Sequence, residues 1–341
     1  MSEKGFDIAV VGATSVVGEA LIELLEERNF PVATLYPLAL DGEAGGRVQF
    51  GGKNLSVKKV ADFDFANADI AFFVDSAETA AEYAPKAAGL DCIVIDSSPE
   101  FRDDEDVPLV VPEVNPQAIA QYNQSHIIAS PNCSTIQLVV ALKPIYDAVG
   151  IERINVATYQ AVSASGKAAI EELAGQTAAL LNCRTLETKV FPKQIAFNVF
   201  PQIDQFQENG YTMEEMAIVS ETRKIMDDDS ILVNPTAVQV PVFYGHSEAV
   251  HIETHTKITA EATRELLSRA QGVKVIDQDG SGGYPTAVGD SAGQTPVFVG
   301  RIREDISHPK GIDLWIVADN VRKGAALNSI QIAEILIKDH M

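Results

Sequence analysis

The sequence predicts an α/β fold in two parts: a domain of alternating strands and helices, and a central α+β domain. Three observations carry this. In the first part of the chain, short apolar runs alternate with helical periodicity, the pattern of a parallel sheet covered by helices. From about residue 151 the segments lengthen and alternate, as strands of an antiparallel or mixed sheet do. At 341 residues the chain also has room for two cores. A last apolar helix, residues 324–337, is expected to return to the first domain. The boundaries therefore fall at 1–132 with 320–341 for the first domain and 133–319 for the second.

The apolar runs 8–11, 70–74 and 92–96 read as buried strands. Between the first two lies a helix over 19–28, with Ala20, Leu21, Leu24 and Leu25 on one face. Helices also fit 79–88 and 116–121. In the second domain the alternating segments 154–161, 239–243, 250–255 and 314–318 read as strands. No internal repeat or low-complexity segment interrupts them.

Composition narrows the function class. The chain is 46% apolar and 22% charged, ordinary for a globular protein, but 48 acids against 26 bases give a net charge of -22. Such a surface repels nucleic acid and anionic lipid, so neither is an expected partner. The sequence runs into the first strand without a basic-apolar leader, and no apolar run reaches membrane-spanning length. Cys92, Cys133 and Cys183 are too few and too scattered for a disulfide framework or a metal site. A cytoplasmic, reducing compartment is expected.

Gly12-Ala13-Thr14-Ser15-Val16-Val17-Gly18 follows a strand and opens a helix. That is the setting in which backbone N–H groups at a helix N-terminus receive a pyrophosphate, and it makes the first domain a Rossmann-like dinucleotide-binding domain. Ser15 stands at the middle position of a Gly-x-x-Gly-x-x-Gly pattern, where a side chain restricts the backbone and crowds a phosphate. After the second strand come Asp41 and Glu43. Carboxylates there suit a free ribose 2′-hydroxyl and argue for NAD over NADP. Two solvated loop acids would look the same.

Ser130-Pro131-Asn132-Cys133-Ser134-Thr135 places a lone thiol behind a Pro-Asn break, at the head of an apolar helical stretch. At a helix N-terminus the dipole favours the thiolate, which is the nucleophilic form. A thiol of this kind needs an acid/base partner, and His246 in Gly245-His246-Ser247-Glu248 is the candidate. It is expected just beyond a strand ending near Phe243. His126 and His251 fall in strand-like runs, His308 and His340 look exposed, and His255 stays open.

Taken together these segments resemble the aspartate-semialdehyde dehydrogenase family, essentially end to end. The resemblance rests on Pro131-Asn132-Cys133-Ser134-Thr135, Thr158-Tyr159-Gln160-Ala161-Val162-Ser163 and Gly245-His246-Ser247-Glu248. It also rests on the segment from Asp106 through Pro112-Glu113-Val114-Asn115 and on Val317-Ala318-Asp319-Asn320-Val321-Arg322-Lys323-Gly324-Ala325. A related acyl-phosphate reductase has Gly before its cysteine and Tyr after it, which this chain lacks. The resemblance implies a homodimer, with a central catalytic and dimerisation domain. It also implies reversible, phosphate-dependent oxidation of aspartate 4-semialdehyde to 4-aspartyl phosphate with NADP. Carried over, Cys133 forms the thioester, His246 is the acid/base and Gln160 orients the substrate. Glu214 contacts the substrate ammonium, Arg102 holds the phosphate, and Ser163 and Asn320 line the nicotinamide.

The chain departs from the family pattern at those same functions. Gln239 stands where the resemblance implies an arginine on the substrate carboxylate. A charge-assisted hydrogen bond is worth about 1.5–3 kcal/mol and about 1.4 kcal/mol is tenfold in affinity. The loss of a bidentate pair would therefore weaken binding by roughly two orders of magnitude. Ala217 replaces a phosphate-binding lysine, and Ala164 a glycine after Ser163. Val74-Asp75-Ser76 replaces a Ser-Ala-Gly turn and puts a carboxylate near the cofactor phosphates. Clustered this way, the changes read as a diverged copy. Two alternatives stand: an enzyme of this family, with this substrate or a less anionic aldehyde, and a dimeric scaffold or regulatory protein with a vestigial site.

Overall fold

The computed structural model describes residues 5–341, and among these the chain divides into two compact units. One contains the residues up to Asn132 together with Ala325–Met341; the other is Cys133–Gly324. Asn320 to Gly324 thus belong to the second unit.

In the first unit the chain runs β1 (Phe6–Val11), α1 (Val16–Glu27), β2 (Val32–Ala39), β3 (Arg47–Phe50), β4 (Lys53–Ser56), β5 (Lys58–Lys59), β6 (Ile70–Phe73), α2 (Ala77–Ala88), β7 (Ile93–Asp96) and β8 (Ile127–Ala129). Six strands form one parallel sheet in the order β5-β2-β1-β6-β7-β8, with β3 and β4 a separate hairpin. The runs 8–11 of β1, 70–73 of β6, 93–96 of β7 and 127–129 of β8 are wholly buried, as parallel strands covered by helices must be, while β2 and β5 at the edge are partly exposed. β1 has β2 on one side and β6 on the other, so the strand order reverses there. The loop after β1 therefore lies at the switch point where open α/β sheets take their ligands. The C-terminal helix Leu327–Asp339 joins this core through Ile330, Ile332, Ala333 and Leu336, alongside Leu21, Leu24 and Leu25 of α1. The helix expected over 116–121 is a 3₁₀ helix spanning Pro116–Gln124.

The second unit comprises α3 (Cys133–Val149), β9 (Ile151–Gln160), α4 (Gly166–Leu181), α5 (Met213–Met226), β10 (Leu232–Gln239), β11 (His246–Thr254), α6 (Ala260–Arg269), β12 (Val273–Val275), β13 (Val297–Glu304) and β14 (Gly311–Ala318). Its sheet is mixed, in the order β10-β9-β11-β14-β13-β12. β9 pairs parallel with β10 and antiparallel with β11, which pairs antiparallel with β14. α3, α5 and α6 pack on this sheet. Alternation along β11 puts His246, Glu248, Val250 and Ile252 on its buried face and Ala249, His251 and Glu253 on the other.

Two expectations are corrected here. Residues 239–243 are not a strand: the strand is 232–239, and Gln239 ends it. Pro241 lacks an N–H to continue the ladder, and the chain turns away. His246 accordingly opens β11 instead of following a strand in a loop.

Candidate active site

Cys133 is the first residue of α3, where the unsatisfied N–H groups of the helix gather. It is half-buried. Cys183 is exposed, while Cys92 is sealed in the first unit's core, where burial pushes its thiol up to about 12. Gly324 packs against Cys133 so closely that a Cβ there would lie 2.7 Å from the Cys133 Cβ, so any side chain would displace the thiol.

The neighbour of Cys133 ties the thiol to β9. Gln160, at the end of that strand and 1% exposed, donates from Nε2 to Ser134 Oγ (3.0 Å), Thr158 Oγ1 (3.3 Å) and Glu214 Oε1 (2.6 Å). Glu214 lies in the first turn of α5, behind a capping box in which the Thr212 hydroxyl and the Glu215 carboxylate serve each other's backbone. Gln239, beside Gln160 across the β9–β10 ladder, donates its own Nε2 to the Gln160 carbonyl at 2.7 Å. Its amide nitrogen is thus committed to the main chain. Ala217, further along α5, carries no charge to this group.

His246 is wholly buried. Its Nδ1 accepts the Ala161 N–H at 3.0 Å, so the proton of the neutral ring sits on Nε2, which has no hydrogen-bond partner in the chain. Burial pushes the imidazole down to about 3. The ring is a neutral donor at physiological pH. Just before it, the Gly245 N–H donates to Asn320 Oδ1 (2.9 Å), and Asn320 Nδ2 donates to Ser163 Oγ (2.9 Å). Asp319, next in line, accepts the N–H groups of Val321, Arg322 and Gly293. In the second unit, then, Ser134, Gln160, Glu214, Gln239 and, through the 160–163 segment, His246, Ser163 and Asn320 form one hydrogen-bonded neighbourhood, and Cys133 is the residue before Ser134 on α3. Ser134, Asp319 and Gly324 were not singled out from the sequence. Each sits inside a matched motif, which was the available signal.

The first unit holds the remaining candidates. Gly12 turns the chain at φ +85°, and at Gly18 a Cβ would meet the Gly12 carbonyl oxygen at 2.1 Å, so helix and loop close tightly. Ser15 is not strained: it is an extended N-cap, its Oγ accepting Gly18 N–H (2.9 Å) and donating to Val74 O (3.1 Å). Among the described residues the N–H groups of Thr14, Val16 and Val17 have no partner in the chain, and they fit a pyrophosphate at this helix start. The acids nearby are engaged: Glu43 accepts the Thr14 hydroxyl and Asp41 pairs with Lys59 at 3.3 Å. Asp75 sits against Gly12, and burial, with Glu43 and Glu78 adding to it, raises its carboxyl above the usual range. Arg102 donates from Nη2 to the Ser97 carbonyl (2.7 Å), in a turn held by Asp96, which accepts Ser98 N–H and Oγ–H. Among the described residues no group of His, Cys, Asp and Glu could hold a metal, and no helix is long and apolar enough to cross a membrane.

Residues 7–122 match the semialdehyde dehydrogenase NAD binding domain, and residues 142–323 match the semialdehyde dehydrogenase dimerisation domain. Aspartate-semialdehyde dehydrogenase from Shewanella violacea is 59% identical over 340 residues, covering 100% of both chains. The chain belongs to the aspartate-semialdehyde dehydrogenase family. Aspartate-semialdehyde dehydrogenase 2 from Vibrio cholerae is 56% identical, again over 100% of each chain. The solved structure of the Vibrio cholerae aspartate semialdehyde dehydrogenase II complexed with ASA superposes with a TM-score of 0.97, at 55% identity, covering 99% of this chain and 100% of that one. The α/β architecture with a parallel nucleotide-binding sheet is that of this family.

Proposed function

We propose that the protein is an aspartate-semialdehyde dehydrogenase that acts through a thioester on Cys133. Full-length identity to relatives named for this activity favours an enzyme over a scaffold or regulatory copy. The observation that carries the mechanism is the thiol at the start of α3, joined through Ser134 and Gln160 to a half-buried carboxylate, Glu214.

The thiolate of Cys133 adds to the aldehyde carbon, and the carbonyl oxygen becomes an alkoxide. His246 Nε2–H, neutral and desolvated, donates a hydrogen bond to that oxygen. Glu214 receives the substrate ammonium, and Gln160 holds Glu214 and the first turn of α3 in one frame. Oxidation at carbon leaves the thioester. Phosphate, held by Arg102, attacks the acyl carbon and Cys133 leaves as thiolate. A bound nicotinamide nucleotide supplies the two-electron acceptor. The loop from Gly12 to Gly18 would hold its pyrophosphate, and Ser163 with Asn320 would face its nicotinamide. For the ribose we read a preference for NAD over NADP, because Asp41, Glu43 and Asp75 gather three acids around the end of β2 against Lys58 and Lys59 of β5.

Gln239 leaves the substrate carboxylate with a neutral neighbour whose amide nitrogen is already used, so a weak grip on that group is expected. A homodimer follows from the match to a dimerisation domain. The sheet face of the second unit that carries Asn155, Tyr159, His251, Asp313 and Trp315, opposite the residues buried under α3, α5 and α6, is the surface for it. The test is nicotinamide absorbance with aspartate semialdehyde, phosphate and either nucleotide. Turnover that Cys133→Ala abolishes supports the reading, and no turnover above that control with either nucleotide sinks it.

A further inference from the structure

Two residues beyond His246 on β11, Glu248 points to the same face of the sheet. It has no exposed surface, and neither carboxyl oxygen has a hydrogen-bond partner of ordinary geometry. An ionised carboxylate in that setting is strongly disfavoured. Burial raises its carboxyl well above the usual range; Gln137 opposes this and Glu214 adds to it. Gln137, 1% exposed, is likewise without a partner at either amide atom. It lies one turn beyond Cys133 on α3, hence on the same helix face.

The Gln137–Glu248 approach therefore sits one helical turn past the thiol and one strand repeat past the imidazole. From β9, Thr158 lies opposite Glu248 in register, and its hydroxyl accepts from Gln160. From β14 the neighbour in register is Ile316. The titratable groups that face Glu248 are Glu214 from α5 and His246 on its own strand. A second anion here would repel Glu214, the carboxylate that holds Gln160. We propose that Glu248 is a positioning residue of the thiol centre: as the neutral acid it seats Gln137, and so fixes the first turn of α3, with Cys133, against the strand that carries His246. The proposal rests on Cys133 being the nucleophile but not on the identity of its substrate.

The variants that test it are Glu248→Met, Gln137→Met and Glu248→Gln, compared by kcat, KM, melting temperature and the pH midpoint of Cys133 alkylation by iodoacetamide. A slack of order an ångström at a reacting group costs roughly a hundredfold in rate, so each Met variant should lower kcat by roughly tenfold or more. KM should change less, and the alkylation midpoint should move. Glu248→Gln, isosteric and neutral, should recover most of the lost kcat. Wild-type kcat and midpoint in Glu248→Met would overturn the proposal; so would a Glu248→Gln as impaired as Glu248→Met, since that would require the ionised carboxylate. If Glu248→Met fails to fold, Gln137→Met carries the same test from the helix side. Alkylation needs no substrate, so a wild type that alkylates but does not turn over aspartate semialdehyde overturns the substrate assignment alone.

Discussion

Replacing His246 by glutamine should remove a pH dependence of stability that the native ring imposes. The imidazole is fully buried, and burial pushes its pKa down to about 3 from the ordinary 6.5. Unfolded, it ionises at the ordinary value. Between those two values the unfolded chain binds a proton that the native chain refuses, so stability falls as pH falls through that window. The full drop is roughly 5 kcal/mol, of which about 2 kcal/mol has been lost by pH 5. Urea unfolding of wild type and His246→Gln at pH 7.5 and pH 5 measures this directly. The stability difference between the two proteins should move by about 2 kcal/mol in favour of the variant on going to pH 5. Asp96, pushed up to about 6 by burial, acts in the opposite sense, favouring the fold at lower pH, and cancels because both proteins carry it. Parallel pH curves would refute the reading of a neutral, sealed ring. Replacing His246 by leucine instead, which has no side-chain donor, should cost about 100- to 1,000-fold in kcat.

Three further outcomes are expected. Glu214→Gln weakens the bond to Gln160 and removes the charge for an ammonium group; at about 1.5–3 kcal/mol, kcat/KM should fall roughly ten- to a hundredfold, mainly through KM. Asp75→Ser takes a carboxylate away from the loop at Gly12, and nucleotide affinity by fluorescence titration should rise about fivefold, the effect of roughly 1 kcal/mol between unit charges a few ångströms apart in water; unchanged affinity would count against a phosphate at that loop. The same titration should find NAD bound more tightly than NADP in the wild type, and the reverse order would contradict the ribose reading.

Much of the fold was legible because its signals are local. The buried runs 8–11, 70–73 and 93–95 have no polar residue to compete with the strand reading, and Gly12 to Gly18 announces its turn by composition. β10 was not legible, because Asn234 and Pro235 speak against a strand; at the sheet edge a proline is tolerated. Ser15 looked like a crowded glycine position, but its side chain caps α1, which depends on where Val74 lies in space. Likewise Asp41 and Glu43 read as free loop acids until Lys59 and Thr14 are brought to them. At the site, Cys133, Gln160 and His246 stood out as motifs. Gln137 did not, and Glu248 stood in the His246 motif without a role, because a helical i+4 and a strand i+2 come together only after α3 packs on β11. Gln239 was legible as a departure, but its bond to the Gln160 carbonyl is a property of the ladder between β9 and β10.

The chemistry turns on a thioester at Cys133. Mixing the enzyme with aspartate semialdehyde and nucleotide in the absence of phosphate should stop the reaction after one oxidation. Mass spectrometry of the quenched protein should then find the aspartyl group on the peptide that contains Cys133, in proportion to reduced nucleotide formed, and phosphate should release it. Reduced nucleotide formed without any acyl group on Cys133, or an acyl group that phosphate fails to release, would contradict the account.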